Sequence, residues 1–223
     1  MNVTLNYGCD GLEVTLPDDA DVTVIHKPSM PQVGQATNAV LNALHNPVGA
    51  PPLSELAGSA ASACIAICDI TRPVPNGLFL RPVIEMLLAG GIPADRITVL
   101  VATGLHRPNQ GDELAELVGD PWVLENVRAE NHFARNDEDH GLVGGTATRG
   151  TVVRLDRRCV EAELRIATGL VEPHFMAGYS GGRKAIAPGL AHADTITTFH
   201  SARFMADPNA DNCILQDLSL IHI

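Results

Sequence analysis

Aromatic residues are scarce: Phe, Trp and Tyr make up 4% of the 223 residues, with a single Trp. The core must therefore be assembled from Leu, Ile, Val and Ala rather than from large rings. Positive charge is also short, with 15 Lys and Arg against 26 Asp and Glu and a formal net charge of -11. That balance excludes nucleic acid or an anionic membrane as the main partner, because both need a basic face. No run approaches the ~18 consecutive apolar residues of a membrane-spanning helix. The opening "MNVTLNYGCDGLEVTLPDDADV" has no basic segment followed by an apolar stretch, so no signal peptide is expected. The five cysteines (Cys9, Cys64, Cys68, Cys159, Cys213) are odd in number and irregularly spaced. That pattern suits reduced thiols in a cytoplasm better than a disulfide framework. Cys64 and Cys68, in "ACIAIC", are expected to be small buried hydrophobes, since a zinc site of this kind needs a second Cys/His pair.

A hydrophobic content of 45% with 18% charged residues, over this length, describes a soluble globular protein able to bury a sizeable core. "VTLNYG" and "LEVTLP" alternate like a β hairpin, and "ADVTVIHKP" reads as a further short strand. A helix is expected over "ATNAVLNALHNP". Three apolar runs then have the character of buried parallel strands: "ACIAICDI", "RITVLVATG" and "LRIATGLV". Helical patterns separate them. "NGLFLRPVIEMLLAGG" repeats apolar residues at helical spacing and stops at paired glycines. "NQGDELAELVG" places acidic residues in its first turn, where the helix dipole favours them. Alternating strands and helices predict an α/β, Rossmann-like fold, a mostly parallel sheet flanked by helices and preceded by an N-terminal hairpin.

Ligands of open α/β sheets bind beyond the carboxyl ends of the strands. Each buried run is followed at once by polar residues. The first leads to Asp69, Thr71 and Arg72, the second to His106 and Arg107, and the third to Glu172, His174, Arg183 and Lys184. Neighbouring parallel strands would bring these groups to one edge. In so acidic a chain, Arg72, Arg107, Arg183 and Lys184 are the local positive groups available to an anionic ligand. "YSGGRK" fails the P-loop spacing, because Arg183 separates Gly182 from Lys184, and no dinucleotide fingerprint is present. Gly181 and Gly182 can still bring backbone N–H groups close to a phosphate. Two histidines facing a small anionic substrate suit a racemase, since imidazole titrates near working pH. Arg72 could clamp a substrate carboxylate. His200, in "TITTFHS", is a candidate metal ligand.

"DITRPVP", "TGLHRP", "EPHFMAGYSGGRKAIAPGLA" and "TTFHS", in this order, resemble the N-terminal domain of the lactate racemase family. The resemblance runs to about Gln216 and implies a racemase or epimerase of a small 2-hydroxyacid. It further implies a nickel pincer nucleotide as cofactor, supplied by cofactor-making enzymes. By resemblance Lys184 is the residue joined to that nucleotide, and Asp69, Thr71, Gly181, Gly182 and Arg183 help to hold it. His200 is then the nickel ligand, in a donor set suited to Ni(II). His106 and His174 become the paired acid/base residues, and Arg72 contacts substrate. The implied chemistry is reversible hydride transfer through a transient 2-keto acid, which is a positioning task suited to rigid strand ends.

Phe199 departs from the asparagine that often precedes this histidine in the family. The family also carries a second α/β domain that is not represented here. Residues 1–217 are therefore expected to be the first half of the enzyme, inactive by itself. The closing "LSLIHI", Leu218 to Ile223, matches the translation of a transposon end used in library preparation and is expected to be a non-native tail. A non-catalytic carrier of the nickel nucleotide is the alternative reading; it would need Lys184 and His200 but no bases at His106 and His174.

Overall fold

The computed structural model describes residues 1–8, 10–26, 28–145, 150–208 and 210–214. Cys9 and the tail from Leu218 to Ile223 lie outside the described residues. The chain divides into two compact units, Met1–Val33 and Gly34–Ile223.

The first unit holds the hairpin expected from its alternation. β1 (Asn2–Leu5) pairs antiparallel with β2 (Leu12–Thr15), with Asn2 opposite Thr15. Gly8 and Gly11 adopt positive φ in the connecting turn, which glycine permits without strain. The further strand expected in "ADVTVIHKP" is not formed: residues 21–26 carry no regular structure, and Ile25 is 90% exposed. Its β-branched residues favour extension, but a strand also needs a neighbour to take its N–H and C=O groups.

The second unit begins with α1 (Ala36–His45) and α2 (Leu53–Ala57). It continues through β3 (Ala63–Cys68), α3 (Asn76–Ala89), β4 (Ile97–Ala102), α4 (Asp112–Val118), α5 (Pro121–Asn126) and β5 (Arg128–Asn131). Next come β6 (His140–Gly145), β7 (Val152–Asp156), α6 (Arg157–Val160) and β8 (Leu164–Ala167). The two-residue strands β9 (Pro173–His174) and β10 (Gly178–Tyr179), then α7 (Arg183–Ile186), α8 (Ala193–Phe199) and α9 (Ala202–Met205), complete it.

β5, β4, β3 and β8 form a wholly parallel sheet in that order. The three apolar runs of the sequence are thus β4, β3 and β8, adjacent strands pointing the same way. α3 ends as its glycine pair requires. Gly91 turns to φ 99°, its N–H bonds Leu88 O at 3.0 Å, and the N–H of buried Ile92 bonds Leu87 O at 3.2 Å. This Schellman arrangement satisfies carbonyls that the last helical turn leaves free.

Strand alternation sends side chains to two faces. On one, Ile65, Ile67, Val99 and Val101 pack against Leu80, Val83, Ile84 and Leu87 of α3. On the other, Cys64, Ala66 and Leu100 meet Cys159, Ala162 and Leu190. Cys64 is buried as a small hydrophobe, as expected, whereas Cys68 at the strand end is only partly covered. The four described cysteines are free thiols.

Candidate active site

Beyond the carboxyl ends of β3, β4 and β8 lies a cavity of about 640 Å³. Of the residues singled out in the sequence, Asp69, Thr71, Arg72, His106, His174, Gly181, Lys184 and His200 line it. Gly182 and Arg183 do not; Gly182 caps α7 and Arg183 opens that helix on its exposed side. Arg107 is also turned away, its guanidinium held by both carboxylate oxygens of Glu113 at 2.6 and 2.7 Å.

Asp69 follows β3 directly and is buried. Its Oδ2 accepts a hydrogen bond from His106 Nδ1 at 2.5 Å, and its Oδ1 accepts one from the Thr71 hydroxyl at 2.5 Å. Both oxygens are thus committed within the protein. A carboxylate only accepts, so the neutral His106 ring carries its proton on Nδ1 and offers a lone pair at Nε2. Arg72 leans on Thr71 through Nη1 at 3.3 Å and makes only a long 3.9 Å ion pair with Glu172. Its guanidinium retains donor capacity for an anion.

The loop after β4 is pinned from two directions. His106 N–H donates to Thr103 O at 2.9 Å, and Gly104 N–H donates to Gly189 O at 2.9 Å. Gly104 has φ 54°, which suits glycine at this tight exit from the strand.

The segment after β8 folds back on itself through β9 and β10. His174 Nδ1 accepts hydrogen bonds from the backbone N–H groups of Met176 (3.4 Å) and Ala177 (3.2 Å), and the Phe175 ring stacks on its imidazole at 4.8 Å. Burial, and then the nearby Lys184 and Arg72 cations, hold the His174 pKa below its ordinary value. Gly181 takes φ 74°, and a Cβ there would lie 3.0 Å from Leu170 O, so the close turn needs glycine. That turn delivers Lys184 to the cavity wall. Among the described residues no carboxylate lies within ion-pair distance of the Lys184 amine. Its pKa is pushed down by burial and by Arg72. At the far wall His200 ends α8, its Nδ1–H donating to Ile196 O at 2.9 Å. A carbonyl accepts only, so the neutral His200 ring likewise offers its lone pair at Nε2.

Cys68 lines the same cavity and was read in the sequence only as core; burial raises its thiol pKa. Lysine usage is a signal that pattern reading passed over. The chain has two lysines, Lys27 and Lys184, and one of them stands here.

The sequence matches the profile of the lactate racemase N-terminal domain over residues 7–212. It is 33% identical, across 97% of its length, to a lactate racemase of Thermoanaerobacterium thermosaccharolyticum, of which it covers 50%. It is 36% identical, over 77% of its length, to a lactate racemase of Lactiplantibacillus plantarum, of which it covers 40%. The chain thus spans about half the length of the curated relatives it matches. The solved lactate racemase apoprotein from T. thermosaccharolyticum superposes with a TM-score of 0.81, over 99% of this chain and 51% of that one, at 33% identity. A Thermotoga maritima protein of solved structure shares the fold alone, at 19% identity and a TM-score of 0.63, over 84% of this chain and 45% of that one.

Proposed function

We propose, for a chain that belongs to the lactate racemase N-terminal domain family, that it forms the cofactor-holding half of a 2-hydroxyacid racemase or epimerase. The observation that carries this reading is a single one. A cavity at three adjacent strand ends gathers His106, His174 and His200 with Arg72 and with Lys184, whose amine meets no carboxylate among the described residues.

The residues present fit a nickel pincer nucleotide. About 640 Å³ lies within the range of small-ligand and cofactor sites. The Gly181 turn leaves a cradle that a Cβ would fill. Lys184, half-buried and without an ion-pair partner among the described residues, has an amine more readily neutral than an ordinary lysine and so more nucleophilic. Among the described residues no three His, Cys, Asp or Glu side chains gather to hold a metal. A metal at His200 must therefore arrive with donors of its own, as a sulfur-bearing nucleotide would bring it. When bound, this group supplies a reversible acceptor for the C2 hydride of the substrate.

The rest falls to the chain's own side chains. Arg72 orients the substrate carboxylate. His106 and His174 exchange the hydroxyl proton as the C2 centre is oxidised and reduced, and Asp69 steadies the imidazolium that forms at His106. Leu170, Phe175, Phe199 and Met205 supply apolar wall that keeps water from the transient keto acid. A nucleotide carrier without catalysis has no use for the Asp69–His106 pair. The test is to make the full-length protein together with cofactor-making enzymes and follow enantiomer exchange on a panel of 2-hydroxyacids. His106→Ala and His174→Ala should each lower the rate by roughly 10²–10⁴-fold. Near-unchanged rates in both variants, in both directions, would refute the reading.

A further inference from the structure

His106 has little packing to hold it. Its side chain is 58% exposed, so the place of the ring depends on Asp69 and on the loop that carries it. That loop leaves β4 at Thr103 and is fastened on both sides of His106 to one short stretch of chain, Asn131 and His132, where the edge strand β5 ends. On the near side the Thr103 hydroxyl donates to His132 O at 2.7 Å, and His132 N–H donates to Val101 O at 3.1 Å. On the far side a reciprocal pair forms. Asn109 N–H donates to Asn131 Oδ1 at 2.8 Å, and Asn131 Nδ2 donates to Asn109 O at 2.7 Å. Asn109 turns its own side chain elsewhere: its Oδ1 accepts from Ile70 N–H at 3.3 Å, and its Nδ2 donates to Glu113 at 2.8 Å. Ile70 directly follows Asp69, the partner of the His106 ring. The segments that follow β3 and β4 are thus joined to the end of β5 through Asn109.

Both amides are buried, and neither lines the cavity. Burying an amide is costly unless its groups are paired, and here the Oδ1 and Nδ2 of each find partners. Apolar side chains of similar size would fill the space without fixing how far one loop slides along another. A fully paired polar contact fixes it. We propose that Asn109 and Asn131 are positioning residues that set the His106 loop in register with Asp69, and so decide where the imidazole stands in the cavity. The catalytic consequence rests on the function proposed above. A displacement of about 1 Å at a reacting group can cost roughly 10²-fold in rate. Arg72 and Lys184 are carried by other loops, so loss of the Asn131 side chain should slow turnover more than it weakens substrate binding.

The full-length protein, labelled with 15N-histidine and free of substrate, provides the direct test, with His106→Gln assigning the His106 nitrogen signals. Asn131→Ala should shift those signals and weaken the downfield proton of the Nδ1–H bond to Asp69. Asn109→Ala keeps the backbone pair with Asn131 but loses the bond from Ile70, and should shift them less. Ile84→Ala, a core variant away from the cavity, should leave them in place. In the loaded enzyme Asn131→Ala should lower kcat by roughly 10–10²-fold with KM within about twofold of wild type. Unmoved His106 signals in both asparagine variants, or an equal shift in Ile84→Ala, would overturn the proposal. Shifted signals with an unchanged kcat would overturn it too. Should Asn131→Ala fail to fold, Asn109→Ala decides alone, and unmoved His106 signals there are the overturning result. Wild-type protein inactive on every 2-hydroxyacid would instead sink the function proposed above, and the nitrogen signals would still decide the positioning.

Discussion

The two faces of the parallel sheet are built from different materials. One presents Ile65, Ile67, Val99 and Val101 to the aliphatic side chains of α3. The other presents Leu100 together with Cys64, Ala66 and Ala102, and beside these three small residues α7 and the turn at Gly189 lie directly on the strands. A Cβ on Gly189 would come within 2.7 Å of the Ala102 Cβ and would run into Ala185 O. Packing beyond the small-residue face also buries polar groups. His132, His140, His192 and Asp156 are all at most 5% exposed. There His140 Nδ1–H donates to Asn136 O at 2.7 Å, which leaves its Nε2 to accept from His132 Nε2–H at 2.9 Å. Bulk on one side supplies stability from apolar burial. Small residues on the other let the segment carrying Lys184 approach, at the cost of a packing that depends on protonation state.

This contrast can be broken from either side. Ile84→Ala empties part of the aliphatic face and should cost about 2–5 kcal/mol in a urea titration. It should leave the histidine nitrogen signals of the cavity unmoved, and a shift in them would mean the faces are not separable. Next is the acid response of the polar side. Burial, the main cause, together with the neighbouring His140, Arg158 and His192, holds His132 at about 4 in spite of Asp156. The unfolded chain, with its histidines near 6.5, binds that proton first as pH falls. Stability from His132 is therefore complete above about pH 6.5 and is lost between about 6.5 and 4, worth roughly 3 kcal/mol. Melting points that do not fall between pH 7 and pH 4.5 would contradict this. Gly189→Ala should cost about 1–3 kcal/mol by overpacking and, unlike Ile84→Ala, should shift the cavity histidine signals. The mildest effect is at Lys184. After reductive 13C-methylation its signal, identified by loss in Lys184→Arg, should titrate below that of a methylated free lysine. Equal titration would remove the case for a nucleophilic amine.

The architecture was legible wherever apolar runs are long. β3, β4 and β8, with α3 and α4, follow from periodicity and glycine stops, and the convergence of Asp69, Arg72, His106, His174 and Lys184 follows from strand direction; the short α5 and α6 carry no such signal. What escaped has physical reasons. β5 is "RAEN", an edge strand whose polar residues carry no apolar signature. β6 is "HGLVGG", glycine-rich, and gains its order from pairing with β7 rather than from propensity. Residues 21–26 show the reverse case, strand-like composition without a partner. The family resemblance assigns Asp69 to the nucleotide, and its place after a strand is visible in sequence. Its bond to His106, 37 residues away, is not. Likewise nothing local marks His132, His140 and His192 as one buried group, since they come from separate segments.

One backbone hydrogen bond has a wider consequence. Gly104 N–H to Gly189 O stitches the turn that leads to His106 onto the turn that follows Lys184. The two loops leave different strands yet share this seam, so a displacement of either turn must stretch or break a bond held by the other. A label at either end should therefore report what happens at the other.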